Sequence, residues 1–357
     1  MICTKCHRRF TGEHQFCPHD GEKLANAIDI KRIRSQPTER AGEVIADRYQ
    51  VRGLLGKGSM AQVFLALDKQ TNEPVALKLL DAVMVKRPDL RARFLLEAKA
   101  AAQITHPGIV RILDVGVRED GAPWMASEYL FGESLGEWLR RERVMAPQRA
   151  IAVLRSVALA LGAAHHAGVI HRDVKPDNIL LLGERNDFHD AKIVDFGFAR
   201  LVGEKGMTQA GVAVGTITYM APEQAVSDAP DARTDVYALG MMMFRMLSGK
   251  LPFQAKTEPE TLAHQLITPA PSPALGNTGL APGLEAIILR ALRKRPDNRY
   301  PSMELFVEDL DRVAAGHPPR IALQPLNTPD VYSPVTPFAI TAARFLYKKL
   351  GLTPPVI

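Results

Sequence analysis

Only three cysteines occur in the 357 residues, Cys3, Cys6 and Cys17, and the last 340 positions contain none. So few thiols exclude a disulfide framework, and their confinement to the first 17 residues marks the N-terminus as a separate unit. Long hydrophobic runs are also missing. Val236–Phe244 is among the longest, well short of the ~18 residues a bilayer span needs, so no membrane span is expected. The first residues lack the apolar stretch of a secretory signal, and the expected location is the cytoplasm. No block of Lys and Arg accompanies the net charge of +6, which argues for neither nucleic acid nor acidic lipid as a partner. What is present is an ordinary globular balance, 46% hydrophobic against 24% charged, too apolar for a disordered chain and too irregular for a fibre. At ~150 residues per domain, the length suggests two domains or one two-lobed domain.

Along the chain, residues 1–24 carry the cysteines, and 25–47 are polar, mixed in charge and broken by Pro37 and Gly42, the texture of a linker. Tyr49–Leu67 alternates aliphatic and other residues around the tight Gly56-Lys57-Gly58, predicting a hairpin. Further strands are predicted at Pro74–Leu80, Ile109–Val117 and Trp124–Leu130, with a helix over Leu90–Ile104, which together make a small sheet-rich lobe. After Gly132 the pattern turns helical, at Ala150–His166, Asp235–Leu247, Leu284–Arg293 and Met303–Val313. The Asp235–Leu247 segment is apolar nearly all round, so its methionines read as core filler. Eight prolines in residues 316–357 predict an extended tail.

Several short patterns bear on chemistry. Leu55-Gly56-Lys57-Gly58-Ser59-Met60-Ala61-Gln62-Val63 can lay backbone N–H groups over phosphate oxygens, although by itself it could equally be a plain turn. Val75-Ala76-Leu77-Lys78 places a lysine on a strand fifteen residues after Val63, and Glu97 lies on the next helix, where a carboxylate can hold that ammonium. His171-Arg172-Asp173-Val174-Lys175-Pro176-Asp177-Asn178 offers acid, base and amide within a few residues. Asp195-Phe196-Gly197 follows seventeen residues after Asn178, and Ala221-Pro222-Glu223 comes later.

In this order, the patterns resemble those of the bacterial, eukaryotic-like (Hanks-type) Ser/Thr protein kinases over roughly residues 48–315. The resemblance implies an α+β, two-lobed fold, with a β-rich N-lobe at 48–130 and a helical C-lobe at 131–315. It implies ATP and Mg2+ (or Mn2+) as cofactors and protein Ser/Thr hydroxyls as acceptors. Lys78 would grip the α- and β-phosphates, oriented by Glu97. Adenine would lie between Ala76 and Leu180, bonded to backbone around Glu128–Leu130. Asn178 and Asp195 would hold the hard cation through oxygen. Asp173 would take the proton of the attacking hydroxyl, with Lys175 against the γ-phosphate and Thr216 contacting both. Glu223 would pair with Arg299 to fix the substrate-binding segment, and Asp235 would hold the backbone of the His171-Arg172 loop. His171 reads as a packing residue before a general base. A pseudokinase is the alternative, but Lys78, Glu97, Asp173, Asn178 and Asp195 are all present.

The N-terminal segment needs its own reading. Cys3-x2-Cys6 and Cys17 have the spacing of a zinc ribbon whose second turn lacks one cysteine; Asp20 stands in its place, and His19, His7 and His14 are alternative ligands. A unit of 24 residues has too little core to fold without metal. The other reading is an unfolded arm with reduced thiols. As a ribbon it would dock a protein partner; a nucleic-acid role has only Lys5, Arg8 and Arg9 behind it.

Two expectations follow that metal analysis and mass spectrometry check. The purified protein should carry about one zinc per chain, lost when the chain is shortened to begin near Val44; equal zinc in both, or none in either, excludes the ribbon. Thr208 lies in the glycine-flanked stretch 203–211, and its phosphate would pair with Arg172 and order the loop. Phosphate should appear on Thr208 only when Asp173 is intact, and Thr208→Ala should slow transfer strongly; unchanged activity rules the switch out.

Overall fold

The computed structural model describes residues 2–3, 24–25, 35–58, 61–184, 187–195, 217–225, 230–277, 279–326 and 330. At the N-terminus, β1 (Ile2–Cys3) pairs antiparallel with β2 (Leu24–Ala25), so that Cys3 stands opposite Leu24. The chain then divides into two compact units. One comprises Met1–Thr105, Val110–Gly132 and Leu181–His189, and the other His106–Ile109, Glu133–Leu180 and Asp190–Ile357.

The first unit is built on an antiparallel sheet. Its strands are β3 (Val44–Ile45), β4 (Tyr49–Lys57), β5 (Ala61–Asp68), β6 (Glu73–Leu80), β7 (Ile112–Val117) and β8 (Pro123–Glu128), in the order β3-β4-β5-β6-β8-β7. Between β6 and β7 come α1 (Ala82–Val85) and α2 (Pro88–Ala102). Period-two patterning decides which side is core: β6 buries Val75, Leu77 and Leu79, whereas Ala76 and Lys78 look the other way. The buried face joins Val51, Phe64 and Ala66 to Tyr49 and Trp124, whose ring centroids lie 5.4 Å apart. The Tyr49 hydroxyl donates to Asp114 (3.0 Å), and burial pushes its pKa above the usual range.

The expected linker is shorter than 25–47. Val44 and Ile45 pair with Gln50 and Tyr49, Ile45 is buried in the core, and Gln36 bridges Leu54 through two backbone bonds of 2.8 Å. A strand edge with free N–H and C=O groups seeks such pairing, and the preceding chain supplies it. Gly53 makes the approach feasible, because a Cβ there would run into the Ser35 side chain.

In the second unit the helices are α3 (Leu135–Glu142), α4 (Pro147–His166), α5 (Pro222–Ala225), α6 (Ala232–Ser248), α7 (Glu258–Ile267), α8 (Pro282–Ala291) and α9 (Met303–Ala314). The chain also forms a small sheet, not assigned to this unit alone, in the order β11-β10-β9, from β9 (Gly132–Ser134), β10 (Ile179–Glu184) and β11 (Asp187–Ile193). Helix α6 is buried almost throughout, Met241, Met242, Met243 and Met246 included, and packs against α4 and α8. Gly240 permits the α6–α8 approach, since a Cβ there would meet that of Ala291 at 2.8 Å. Ser134 and Glu137 cap α3 reciprocally, a start signal the sequence reading passed over, along with α7. Residues 106–109 belong to this unit rather than to the N-lobe range 48–130, because Ile109 bridges Ile193 and the Ile193 N–H donates to Gly108 O.

The tail does not leave the fold at residue 316. The buried Asp309 carboxylate accepts the backbone N–H groups of Arg320 (2.6 Å), Ile321 (3.1 Å) and Ala322 (2.8 Å) and the Tyr300 hydroxyl (2.9 Å). Asp330 accepts from the Arg295 amide at 3.2 Å.

Because Ile45 is a core residue, Ile45→Ala should cost about 2–5 kcal/mol of unfolding free energy. Urea titration of the full chain checks this; a cost under about 0.5 kcal/mol, typical of surface positions, would return residues 44–45 to the linker.

Candidate active site

Asp173 follows Arg172, whose φ of +63° is strained for a residue with a side chain. One carboxylate holds it there. Asp235, in the first turn of α6 and almost completely buried, accepts the N–H groups of His171 (2.9 Å) and Arg172 (2.8 Å). His165, at the end of α4, lies 2.7 Å from the same carboxylate through Nε2. The N-terminal end of α6 favours a negative charge at this point, so the anion is placed where helix dipole and amides both stabilise it. His171 is buried, and its Nδ1 accepts the Asp173 N–H at 3.2 Å, consistent with a structural part.

From Asp173 the loop closes on itself. Lys175 Nζ donates to Asp173 Oδ2 at 2.6 Å. Asn178, in the 3-10 turn Pro176–Asn178, donates its amide to the Asp173 carbonyl (2.9 Å) and lies 3.4 Å from Oδ2. With its nitrogen engaged, Asn178 has its amide oxygen left for a cation. The Val194 N–H donates to the Asn178 carbonyl (3.0 Å), so Asp195 follows directly beside it. An amide oxygen and a carboxylate on adjacent strands of chain are the oxygen donors that Mg2+ prefers, and the residues present fit that ion.

Behind the loop lies the Glu223–Arg299 pair, buried on both sides. Two bonds of 2.7 Å join the carboxylate to Nη1 and Nη2 of Arg299. Arg299 further donates to the carbonyls of Arg293 (2.7 Å), Arg233 (3.0 Å) and Lys294 (2.9 Å), so five N–H groups have five acceptors. The guanidinium carbon stands 4.9 Å from the Tyr237 ring centroid, and Thr234 donates to Glu223 at 2.8 Å.

In the first unit, the β4–β5 hairpin carries the glycine-rich run. The Gly58 N–H donates to Ala61 O at 2.9 Å, and Gly56, Lys57 and Gly58 are exposed. Nothing lies within 4 Å of a Cβ built on Gly56, so no packing demands a glycine there, whereas approach by a phosphate would. Leu55, Gln62 and Val63 are half-buried and Ala61 is buried. Lys78 is paired across the sheet with Val63 and Met125, and Ala76 with Leu65 and Ser127, which sets Val63, Ala76 and Lys78 on one face. Glu128 and Leu130 are half-buried at the end of β8 and just beyond it, and Leu180 is half-buried in β10.

Glu97 sits within α2, and its side chain lies outside the described ones. Ser59, Met60, Cys6, Cys17, Asp20, Thr208 and Thr216 lie outside the described residues, as does the side chain of Cys3. Sequence reasoning missed His165, which backs Asp235, and two buried glutamines, Gln224 and Gln265, that hold residues 217–221. A histidine or glutamine on a helix announces nothing by its spacing.

Comparison with known proteins finds a family and several relatives. Residues 49–309 match the protein kinase domain family. The serine/threonine-protein kinase PknB of Mycobacterium tuberculosis is 39% identical over 281 residues, covering 77% of this chain and 44% of that protein. The serine/threonine-protein kinase pkn3 of Myxococcus xanthus is 37% identical, over 77% of this chain and 51% of its own length. This chain thus spans about half of those relatives. The crystal structure of the M. tuberculosis PknI kinase domain superposes with a TM-score of 0.62 at 28% identity, covering 77% of this chain and 98% of that one.

Breaking the buried pair tests the scaffold. Arg299→Met should cost about 3–5 kcal/mol, because it leaves the Glu223 carboxylate buried and uncompensated. Denaturant unfolding measures it; a loss below about 1 kcal/mol, as for an exposed pair, would show that the site does not depend on this contact.

Proposed function

This chain belongs to the protein kinase family, and from that premise we propose that it is a serine/threonine protein kinase that transfers the γ-phosphate of ATP to Ser and Thr hydroxyls of proteins. The observation that carries the reading is the closed loop in which the Asp173 carboxylate meets Lys175 at 2.6 Å and Asn178 grips the Asp173 carbonyl. A carboxylate, an ammonium and an amide oxygen on one rigid turn are what phosphoryl transfer asks of a protein, namely positioning and neutralisation of charge.

In this reading the attacking hydroxyl loses its proton to Asp173, and Lys175 sets positive charge against the transferring phosphoryl group. Lys78, oriented by Glu97, binds the α- and β-phosphates, under backbone amides of the run Leu55–Val63. Asn178 and Asp195 hold the divalent cation, which when bound neutralises phosphate charge. Thr216 contacts Asp173 and Lys175, and adenine takes Ala76, Leu180 and the backbone at Glu128–Leu130. Phosphate on Thr208 pairs with Arg172, a proposal supported by the buried Arg172 Nε, which has no hydrogen-bond partner among the described residues.

For residues 1–24 the proposal is a zinc-ribbon-like module with Cys3, Cys6, Cys17 and Asp20 as ligands, docking a protein partner. The pairing of β1 with β2 supports it, since it brings the two ends of the cysteine-bearing segment together. Among the described residues no helix is long and apolar enough to cross a membrane. The proposed location is the cytoplasm.

Lys78→Met and Asp173→Asn test the reading, since both remove charge that acts on the transition state and neither is a core packing residue. Each should lower transfer from ATP to a generic basic protein by at least about a hundredfold while the fold survives, read by radiolabel incorporation and circular dichroism. Near-normal turnover of Asp173→Asn would remove Asp173 from the chemistry.

A further inference from the structure

The segment between Thr216 and Glu223 is held by two buried amides rather than by its own hydrogen bonds alone. Residues 217–220 form a turn closed by the Met220 N–H on Ile217 O (3.0 Å). From one side comes Gln265 of α7, wholly buried, whose Nε2 donates to Ile217 O (3.1 Å) and Thr218 O (2.6 Å). From the other comes Gln224, also buried. Its Oε1 accepts the Ala221 N–H at 3.0 Å, and its Nε2 donates to the carbonyl of Arg172 at 2.9 Å, one residue before Asp173. Helix α7 is itself pinned near the same point. Lys294, almost completely buried, donates to Gln265 O (2.6 Å) and stands 4.0 Å from the Phe253 ring centroid. Burial pushes the Lys294 pKa down to about 7.

Stability alone does not explain these amides. Met220, Ala225, Leu262 and Leu266 already form a buried apolar cluster joining the segment to α7. That contact is non-directional and sets no register, whereas an amide bonded to named carbonyls does. Gln265 also carries an Oε1 that is buried without a hydrogen-bond partner among the described residues, a poor choice if burial were the only aim.

We propose that Gln224 and Gln265 are positioning residues for the protein acceptor, fixing residues 217–221 relative to Asp173 so that a chain laid on that segment presents its hydroxyl to the carboxylate. The inference rests on the kinase reading and adds to it which residues set the acceptor site. Neither glutamine touches ATP or the reacting atoms. Their loss should loosen the acceptor and leave nucleotide binding as it was.

Steady-state transfer to a histone preparation, with ATP and histone varied in turn, tests this on the full chain. Gln224→Met and Gln265→Met should each raise KM for histone about tenfold, the effect of losing a hydrogen bond or two, with KM for ATP unchanged. Gln265→Asn keeps the amide but falls one methylene short, and should behave alike if the apolar variant does not fold. A histone KM within about twofold of wild type, or an ATP KM rising in parallel, overturns the inference and marks the glutamines as structural only. A wild-type chain that transfers no phosphate overturns the kinase reading and the inference with it, a result distinct from an active wild type with unaltered variants.

Discussion

Arg299 is the residue on which the second unit's working surface depends. Its guanidinium reaches two oxygens of Glu223 and three carbonyls, from Arg293, Lys294 and Arg233. Segments far apart in sequence meet at this one planar fork: α5, the start of α6, and the loop between α8 and α9. A lysine could not replace it, because a point charge offers three donors with no fixed directions. Desolvating such a pair is costly, so its benefit lies less in net stability than in admitting one arrangement of the three segments.

A second carboxylate works in the same manner beneath Asp173. Asp235 stabilises a left-handed backbone at Arg172 that a residue with a side chain rarely adopts. The strain is local and the compensation comes from α6, a helix buried along most of its length. Asp173 thereby stands on a turn whose shape is dictated from beneath, while its own carboxylate is left to Lys175 and, by proposal, to a hydroxyl. Buried support below, with a few donors close by, suits a reaction whose demand is placement.

Much of this was legible in the chain itself. The strands at Tyr49–Lys57, Ala61–Asp68 and Glu73–Leu80 follow from alternation, and α6 from its unbroken apolar surface. The order of Lys78, Glu97, Asp173, Asn178 and Asp195 carries the family resemblance by itself. What escaped depends on partners remote in sequence. Ile45 reads as linker because two residues of strand carry no periodicity, yet Tyr49 and Gln50 recruit them. Helix α7 begins at Glu258-Pro259 and has only three turns, so its apolar face of Leu262, Ala263 and Leu266 is too brief to stand out. Gln224, Gln265 and His165 act through hydrogen bonds whose other ends lie tens of residues away, and composition holds no trace of that.

The way the chain leaves α9 bears on how such a unit can be exchanged between proteins. Three consecutive amides, from Arg320 to Ala322, converge on Asp309, and Gln324 O receives Arg290 at 3.0 Å. The seam of the unit therefore runs beyond Leu326, a dozen residues past the last helix. A recombination event that joined new sequence directly after Gly316 would strand a carboxylate and a guanidinium in the interior. One that crossed over after Asp330, whose carboxylate accepts the Arg295 amide, would keep these bonds, whatever module came next.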